Sequence, residues 1–482
     1  MVRFTFPLFT RCRRETALLM RLALPICGAQ LAQAGMGAAD VIMAGRASAT
    51  DLAAVSVGSS IWLPLMLFMT GTLMGLTPIV AQLRGGARMP RIRPYVHQAL
   101  WLSLALGVAA ALLLWFAVMP IFRLMDVPGP VARLSAGYLA AVAFGMPGIA
   151  LFQALRAFSD GMNHTRPSLW ISLIGLGVNI PCNYLLIYGG DGLVDLFGSD
   201  LPLWLRELPA FGAVGCGIAT ALSMWVMCLV MLLYTRRSST FAPVALWKTL
   251  TWPHRAMIRE LLYIGAPIGV AIFVEVTLFT LIALFVASLG EITVAAHQVA
   301  LNYTSILFML PLSLGMALTV RVGNTLGASR GSEASFVAWN GMLICLVVAL
   351  LNDVILWLTA APVVALYTHN EAVQDLAMSL IFLAMLYQIS DSLQVNMAGA
   401  LRGYKDTRII MAITLVSYWL VGLGSGYLLG ALGIPGLTEP LGVHGYWIGL
   451  IAGLTVAATL LGWRLWRISK AVSEGVMEIP QS

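Results

Sequence analysis

The chemistry open to this chain begins with three carboxylates, Asp40, Glu275 and Asp391, each set inside a long apolar stretch. Only 21 of the 482 residues are acidic, and nearly all the others fall in short polar breaks. An ionised acid at the centre of a bilayer costs roughly 2.5–3.5 kcal/mol on insertion scales, so each must be paired, protonated or bound to a cation. Other polar groups recur beside these acids at helical spacing. Gln30, Gln33, Gly37 and Asp40 follow i, i+3, i+7, i+10 and share one face of the first apolar stretch, where Pro25 can introduce a kink. Tyr387, Asp391 and Gln394 follow i, i+4, i+7 in the most polar stretch, YQISDSLQVNMAGALRG. Carboxylate, phenol and amide oxygens are hard ligands suited to a small cation such as Na⁺, Mg²⁺ or Ca²⁺. Glu275 has apolar neighbours except for Thr277 and Thr280. Such surroundings let a carboxyl take and release a proton, whereas a nearby Na⁺ would keep it ionised. Asn179 and Asn183 stand one turn apart with Pro181 between them. Amides at that depth line a wet cavity or bridge helices, and bridging alone contributes only about 0.6 kcal/mol per bond.

Each constellation also has a plainer reading. Asp40 lies toward the outer end of its stretch and could reach interfacial water. The asparagine pair could be interhelical glue, and the Tyr387–Gln394 face a polar seam. Asp353, in ALLNDVILWL, is expected at the interface, and His297, beside Gln298, is expected to be a hydrogen-bonded helix end rather than a proton relay. The six cysteines form no C-x-x-C pair and read as small packing residues. The lysines, Lys248, Lys405 and Lys470, do not follow a Gly-rich turn, so no P-loop is present, and no zincin histidine pair occurs. Neither an enzyme nor a bound cofactor is expected.

The elements that must position these groups are membrane helices. The chain is 60% hydrophobic and 10% charged, against about 25% charged in soluble domains. Twelve stretches reach the spanning length of about 20 residues, near 17–42, 53–80, 95–119, 130–157, 167–188, 210–234, 258–288, 293–322, 336–361, 373–400, 409–430 and 442–466. They are too long and too little alternating for a barrel. With the N-terminus and alternate breaks labelled inside, 23 Lys and Arg fall inside and four outside. The net charge of +7 therefore follows the positive-inside rule, with both termini cytoplasmic, and does not indicate nucleic acid.

A shift of 242 residues brings the chain onto itself. Pro25 meets Pro267, Val57 meets Val299, Met74, Leu76 and Thr77 meet Met316, Leu318 and Thr319, and Gly85 meets Gly327. Further on the register drifts. Ala154-Leu155-Arg156 with Asp160 answers Ala400-Leu401-Arg402 with Asp406, and Tyr184 answers Tyr427. Gly212 and Gly215 answer Gly442 and Gly445. Gln33 is the mate of Glu275, so that acid exists in one repeat only. The expectation is an all-α membrane protein of twelve helices in two six-helix lobes, 1–234 and 258–482. A cytoplasmic linker, 235–257, joins them, and a pseudo-two-fold along the membrane normal relates them. That is a transporter plan. The 24 methionines add adaptable apolar surface.

ADVIMAGRAS (39–48), ALRAFSDGMNHTRPSL (154–169), GLGVNIPCNYLLIYG (175–189), GAPIGVAIFVE (265–275), AAHQVALN (295–302) and YQISDSLQVNMAGALRGYKDTR (387–408) run in order along most of the chain. In these segments the chain resembles the multidrug and toxic compound extrusion family, in its bacterial NorM branch. The resemblance implies a multi-pass protein of the bacterial inner membrane, working as a monomer among membrane lipids. It exports cationic or amphiphilic drugs by alternating access while Na⁺ or H⁺ enters. It implies a cation site at Glu275, Asp391 and Tyr387, the two acids ligating the metal if the ion is Na⁺. It also implies a substrate or proton-coupling cluster at Asp40, Asn179 and Asn183, to which the shared faces add Gln33 and Gln394. The rival is a flippase for lipid-linked sugars on a related twelve-helix plan, which calls for a basic cavity rather than deep acids.

Overall fold

The computed structural model describes residues 5–124, 129–198, 202, 206–433 and 439–476. Arg3, one of the cations counted above as inside, lies outside them. Twelve described helices are long and apolar enough to cross a membrane. They are α1 Thr5–Ala47, α2 Ala49–Gly85, α3 Met89–Phe116, α4 Gly129–Gly161, α5 Arg166–Phe197, α6 Gly212–Arg237, α7 Arg255–Ala287, α8 Glu291–Gly327, α9 Gly331–Tyr367, α10 Glu371–Gly403, α11 Thr407–Leu432 and α12 Val443–Ser473. Each apolar stretch became one helix, and several helices outrun their stretch. α1 begins at Thr5, through a basic segment with no apolar run, because a helix that has left the hydrocarbon still satisfies its own backbone.

Contacts gather the chain into two compact units. One comprises Met1–Cys27, Thr77–Arg88 and Ile264–Ser482, the other Gly28–Leu76 and Met89–Tyr263. Two helices are thus divided between them, α1 just past Pro25 and α2 just past a turn at Met74–Gly75.

Within the first unit the repeat shows itself as a reciprocal contact. A Cβ on Gly85 would strike the backbone of Asn324, and one on Gly327 would strike the backbone of Gln82. Both pairs are related by the same 242-residue shift, so only glycine fits on either side. A second close seam joins α12 to α11. Gly445, Gly449 and Gly453 recur every four residues and meet Gly430, Gly426 and Gly422 backbone to backbone. Small residues at this spacing let membrane helices approach where no hydrophobic drive exists between them. Along this seam α11 winds with the wider π pattern over Leu415–Leu423 and Leu428–Leu432.

In the second unit α1 and α5 run alongside each other in one register. Gln33 Nε2 donates to Ser172 Oγ, and Asp40 Oδ1 accepts from Asn179 Nδ2, each partner 139 residues on. The segment after α6, expected to be a plain connector, is docked on α3. His97 Nδ1 accepts from the Thr251 amide at 3.1 Å, and its Nε2 lies 2.8 Å from the Leu246 carbonyl. Gln98 donates to the Trp252 carbonyl and accepts from the His254 amide at 2.7 Å. Trp101 stacks on Trp252, and Tyr95 donates to Glu260 at 2.6 Å.

Two outcomes follow from this packing. Gly449→Val should lower thermal stability by about 1–3 kcal/mol, the range for overpacking, whereas Gly424→Ala, with open space around it on α11, should not; melting in detergent reads both. His97→Ala leaves the strap short of two bonds at roughly 1–3 kcal/mol per unsatisfied group. Trypsin should then cut at the exposed Lys248 faster than in the parent protein.

Candidate functional site

The second unit buries Asp40 at 4% exposure, which removes the interfacial reading. Its Oδ1 accepts from Asn179 Nδ2 at 3.1 Å and from Asn183 Nδ2 at 2.6 Å, and its Oδ2 accepts from Thr220 Oγ1 at 2.8 Å. The parallel register of α1 and α5 supplies both amides, and α6 supplies the hydroxyl. Asn183 also donates to Asn179 Oδ1, while its own Oδ1 is buried without a partner. The cluster is a carboxylate held by three donors, ringed by amide and hydroxyl oxygens that a small cation could use.

The first unit holds the other two acids. The rings of Phe279 on α7 and Tyr387 on α10 meet edge-on at 6.2 Å between centroids. These helices run in opposite directions. One turn from that contact, backward on α7 and forward on α10, stand Glu275 and Asp391, so the acids lie at one level and within each other's field. Asp391 is 1% exposed, accepts from Gln394 Nε2 at 3.1 Å, and has the Tyr387 hydroxyl beside it. Glu275 is partly buried and makes no hydrogen bond among the described residues. Two carboxylates within each other's field in a desolvated setting favour capture of a positive charge, whether a proton or a metal cation.

Some expectations need correction. Gln33, placed by spacing on the Asp40 face, reaches Ser172 at 3.2 Å and does not touch Asp40. Each residue on that face meets its own level of the neighbouring helices. Asp353, expected at the interface, is packed inside the protein at 6% exposure, with Oδ1 unpaired. His297 accepts from Trp447 Nε1 at 3.1 Å and lies buried with Nε2 unpaired. The cysteines are all free. Spacing missed three members of these sites. Thr220 was one hydroxyl among several in an apolar run. Tyr418, buried in the π-wound part of α11 beside the acid pair, was one tyrosine in a largely apolar run with no acid in it. Arg402, counted among the cytoplasmic cations because it nearly ends its helix, is only 7% exposed and lies within electrostatic reach of Glu275. Its repeat mate Arg156 is also buried, with an ion pair to Asp160 at 3.5 Å and a hydrogen bond to Gln30 at 3.1 Å.

The model of the MatE family matches this chain twice, over residues 25–185 and 267–428, starts that lie 242 positions apart. The chain is 44% identical to the multidrug resistance protein PmpM of Pseudomonas aeruginosa over 95% of its own length and 93% of that protein's. It is also 44% identical to the multidrug resistance protein NorM of Vibrio cholerae, over 95% and 97%. Among solved structures, an outward-facing multidrug resistance MATE transporter of the MOP superfamily superposes with a TM-score of 0.83 at 20% identity, covering 95% of this chain and 96% of that one. At that identity the match shows the fold.

The Asp40 cluster makes a direct test. Thr220→Val strips one carboxylate oxygen of its donor and should cost roughly 1.5–3 kcal/mol, the range for bonds to charged groups. Thr220→Ser should restore most of it, with both read as thermal midpoints against the parent protein.

Proposed function

This chain belongs to the MatE family, and on that premise we propose that it is a cation-coupled antiporter that exports cationic or amphiphilic drugs by alternating access. The similarity to PmpM and NorM, both named as multidrug resistance proteins, supports multidrug export. Twelve spanning helices make it a multi-pass membrane protein. We place it in the bacterial inner membrane as a monomer, with two six-helix lobes and both termini in the cytoplasm, as the distribution of Lys and Arg suggests.

The observation that carries the coupling is the level pairing of Glu275 and Asp391, with Tyr387 and Gln394 on the same face. A coupling cation, Na⁺ or H⁺, enters from outside and is held between the two acids as cargo. Its binding and drug binding exclude one another, so the drug leaves and the cation-loaded protein turns inward. One charge crossing 100 mV supplies about 2.3 kcal/mol, so a single cation per cycle gives a useful drive. Asp40, Asn179 and Asn183, with Thr220 now added, form the second polar centre, where drug or proton engages. Deep acids suit cationic cargo and speak against a pyrophosphate-bearing lipid.

In reconstituted vesicles, efflux of a fluorescent organic cation should follow an imposed Na⁺ gradient or an imposed pH gradient, each tested alone. Asp391→Asn should abolish that gradient-driven component. Full gradient-driven efflux by Asp391→Asn would overturn the coupling site.

A further inference from the structure

The acid pair has a charged neighbour that no sequence spacing singled out. Arg402 follows Asp391 by eleven residues on α10, close to three full turns, so the two share a face. Ala398, between them on that stripe, is small. The helix rise separates their Cα atoms by roughly 16 Å, but side chains tilt toward their helix N-terminus. Arg402 therefore leans toward Asp391. Glu275, on the oppositely directed α7, leans toward Arg402. The guanidinium is buried, its Nε has no hydrogen-bond partner, and it lies within electrostatic reach of Glu275 and Tyr418.

The repeat explains why it is available. In the other unit Arg156 is engaged by Asp160 and Gln30. The mate of Asp160 is Asp406, which is held instead by Arg464 at 2.7 Å. In the register of Gly212 and Gly442, the mate of Arg464 is Tyr234, which cannot make such a pair. The mate of Gln30 is Ile272, which offers no acceptor. Arg402 has lost both partners of its counterpart, and the acid within its electrostatic reach is Glu275, the mate of the neutral Gln33.

We propose that Arg402 is a built-in counter-cation that sets the charge of the Glu275–Asp391 site, so that one monovalent cation, and not a divalent one, completes its neutralisation. This rests on the reading of that pair as the cation site. Two carboxylates and one guanidinium leave one negative charge. A proton or Na⁺ brings the site to neutrality, whereas a divalent ion would overshoot it in a medium that penalises any residual charge. The guanidinium also keeps the emptied site from being a doubly charged trap, which favours release. Arg402 acts through the acids as a positioning residue and need not touch the cation.

Two readouts test the idea on purified full-length protein. Mn²⁺ binding by electron paramagnetic resonance should tighten at least about tenfold in Arg402→Gln, a change worth 1.4 kcal/mol. It should stay at the parent level in Arg402→Lys, and the gain should vanish in Arg402→Gln/Glu275→Gln. In parallel, Glu275→Gln should raise the melting midpoint of Arg402→Gln, because it removes the uncompensated charge. That rescue keeps the test decisive if Arg402→Gln alone folds poorly. Unchanged Mn²⁺ binding in a folded Arg402→Gln would overturn the proposal, as would a double variant no more stable than Arg402→Gln. Failure of Asp391→Asn to abolish coupled efflux would instead remove the underlying site assignment and leave the charge pairing to be judged on these readouts.

Discussion

Charge cannot be left uncompensated in an apolar interior, and most of what distinguishes the two halves of this protein is how that demand is met. Burying one ion costs several kcal/mol even after relaxation, so every deep acid needs a donor, a counter-charge or a cation. Asp40 is satisfied by neutral donors from α5 and α6. Asp160 is satisfied by Arg156 and the Ser168 hydroxyl. Asp406 is satisfied by Arg464. Glu275 and Asp391 have little local provision for their charge, Glu275 with no hydrogen bond among the described residues and Asp391 with a single amide donor and a phenol beside it. A site left short of positive charge is the one able to recruit it from solution.

Packing serves this electrostatic plan. The repeat mates of Asn179 and Asn183, read from the Tyr184–Tyr427 register, are Gly422 and Gly426. In one half those positions carry amides that reach Asp40; in the other they carry nothing, and α12 closes onto the bare backbone of α11. The same two turns of helix were therefore given over to a polar pocket in one repeat and to a backbone seam in the other. The second half had to build its polar site elsewhere, on α7 and α10, where Glu275 replaces a glutamine. The π-wound stretch of α11 then carries Tyr418 to the acids, in keeping with the tendency of π segments to occur at functional positions.

The helices were readable from the sequence because the signal for each is twenty or so apolar residues, far above chance, and the repeat because glycines and prolines that permit close approach recur at 242. Asp40, Glu275 and Asp391 were readable because a charge in such a run is rare. The partners were harder. Thr220 and Tyr418 belong to types common in these helices, and only tertiary packing selects one hydroxyl from many. Gln33 misled because a shared helical face spans ten residues, some 15 Å of rise, while a hydrogen bond reaches one level of it. Arg402 misled for a different reason. The positive-inside count treats every cation near a helix end as a loop residue, and it cannot see one whose side chain folds back into the protein. The docked strap on α3 was missed since its bonds run largely to backbone groups, which carry no sequence signature.

One exchange between the repeats ties these observations together. With a tyrosine at 234, Asp160 keeps the arginine four residues before it. With an arginine at 464, Asp406 is taken, and Arg402 is released toward Glu275. The acid at 275 and the cation at 464 make sense as a set. Glu275 without a freed Arg402 would leave two bare carboxylates at one level, and a freed Arg402 without Glu275 would leave a buried guanidinium without the acid in its electrostatic reach. Only the combination leaves the single negative charge that a monovalent ion can relieve and later abandon. On the proposal that Glu275 and Asp391 hold the coupling cation, the asymmetry between the halves is what a reversible cation site would require.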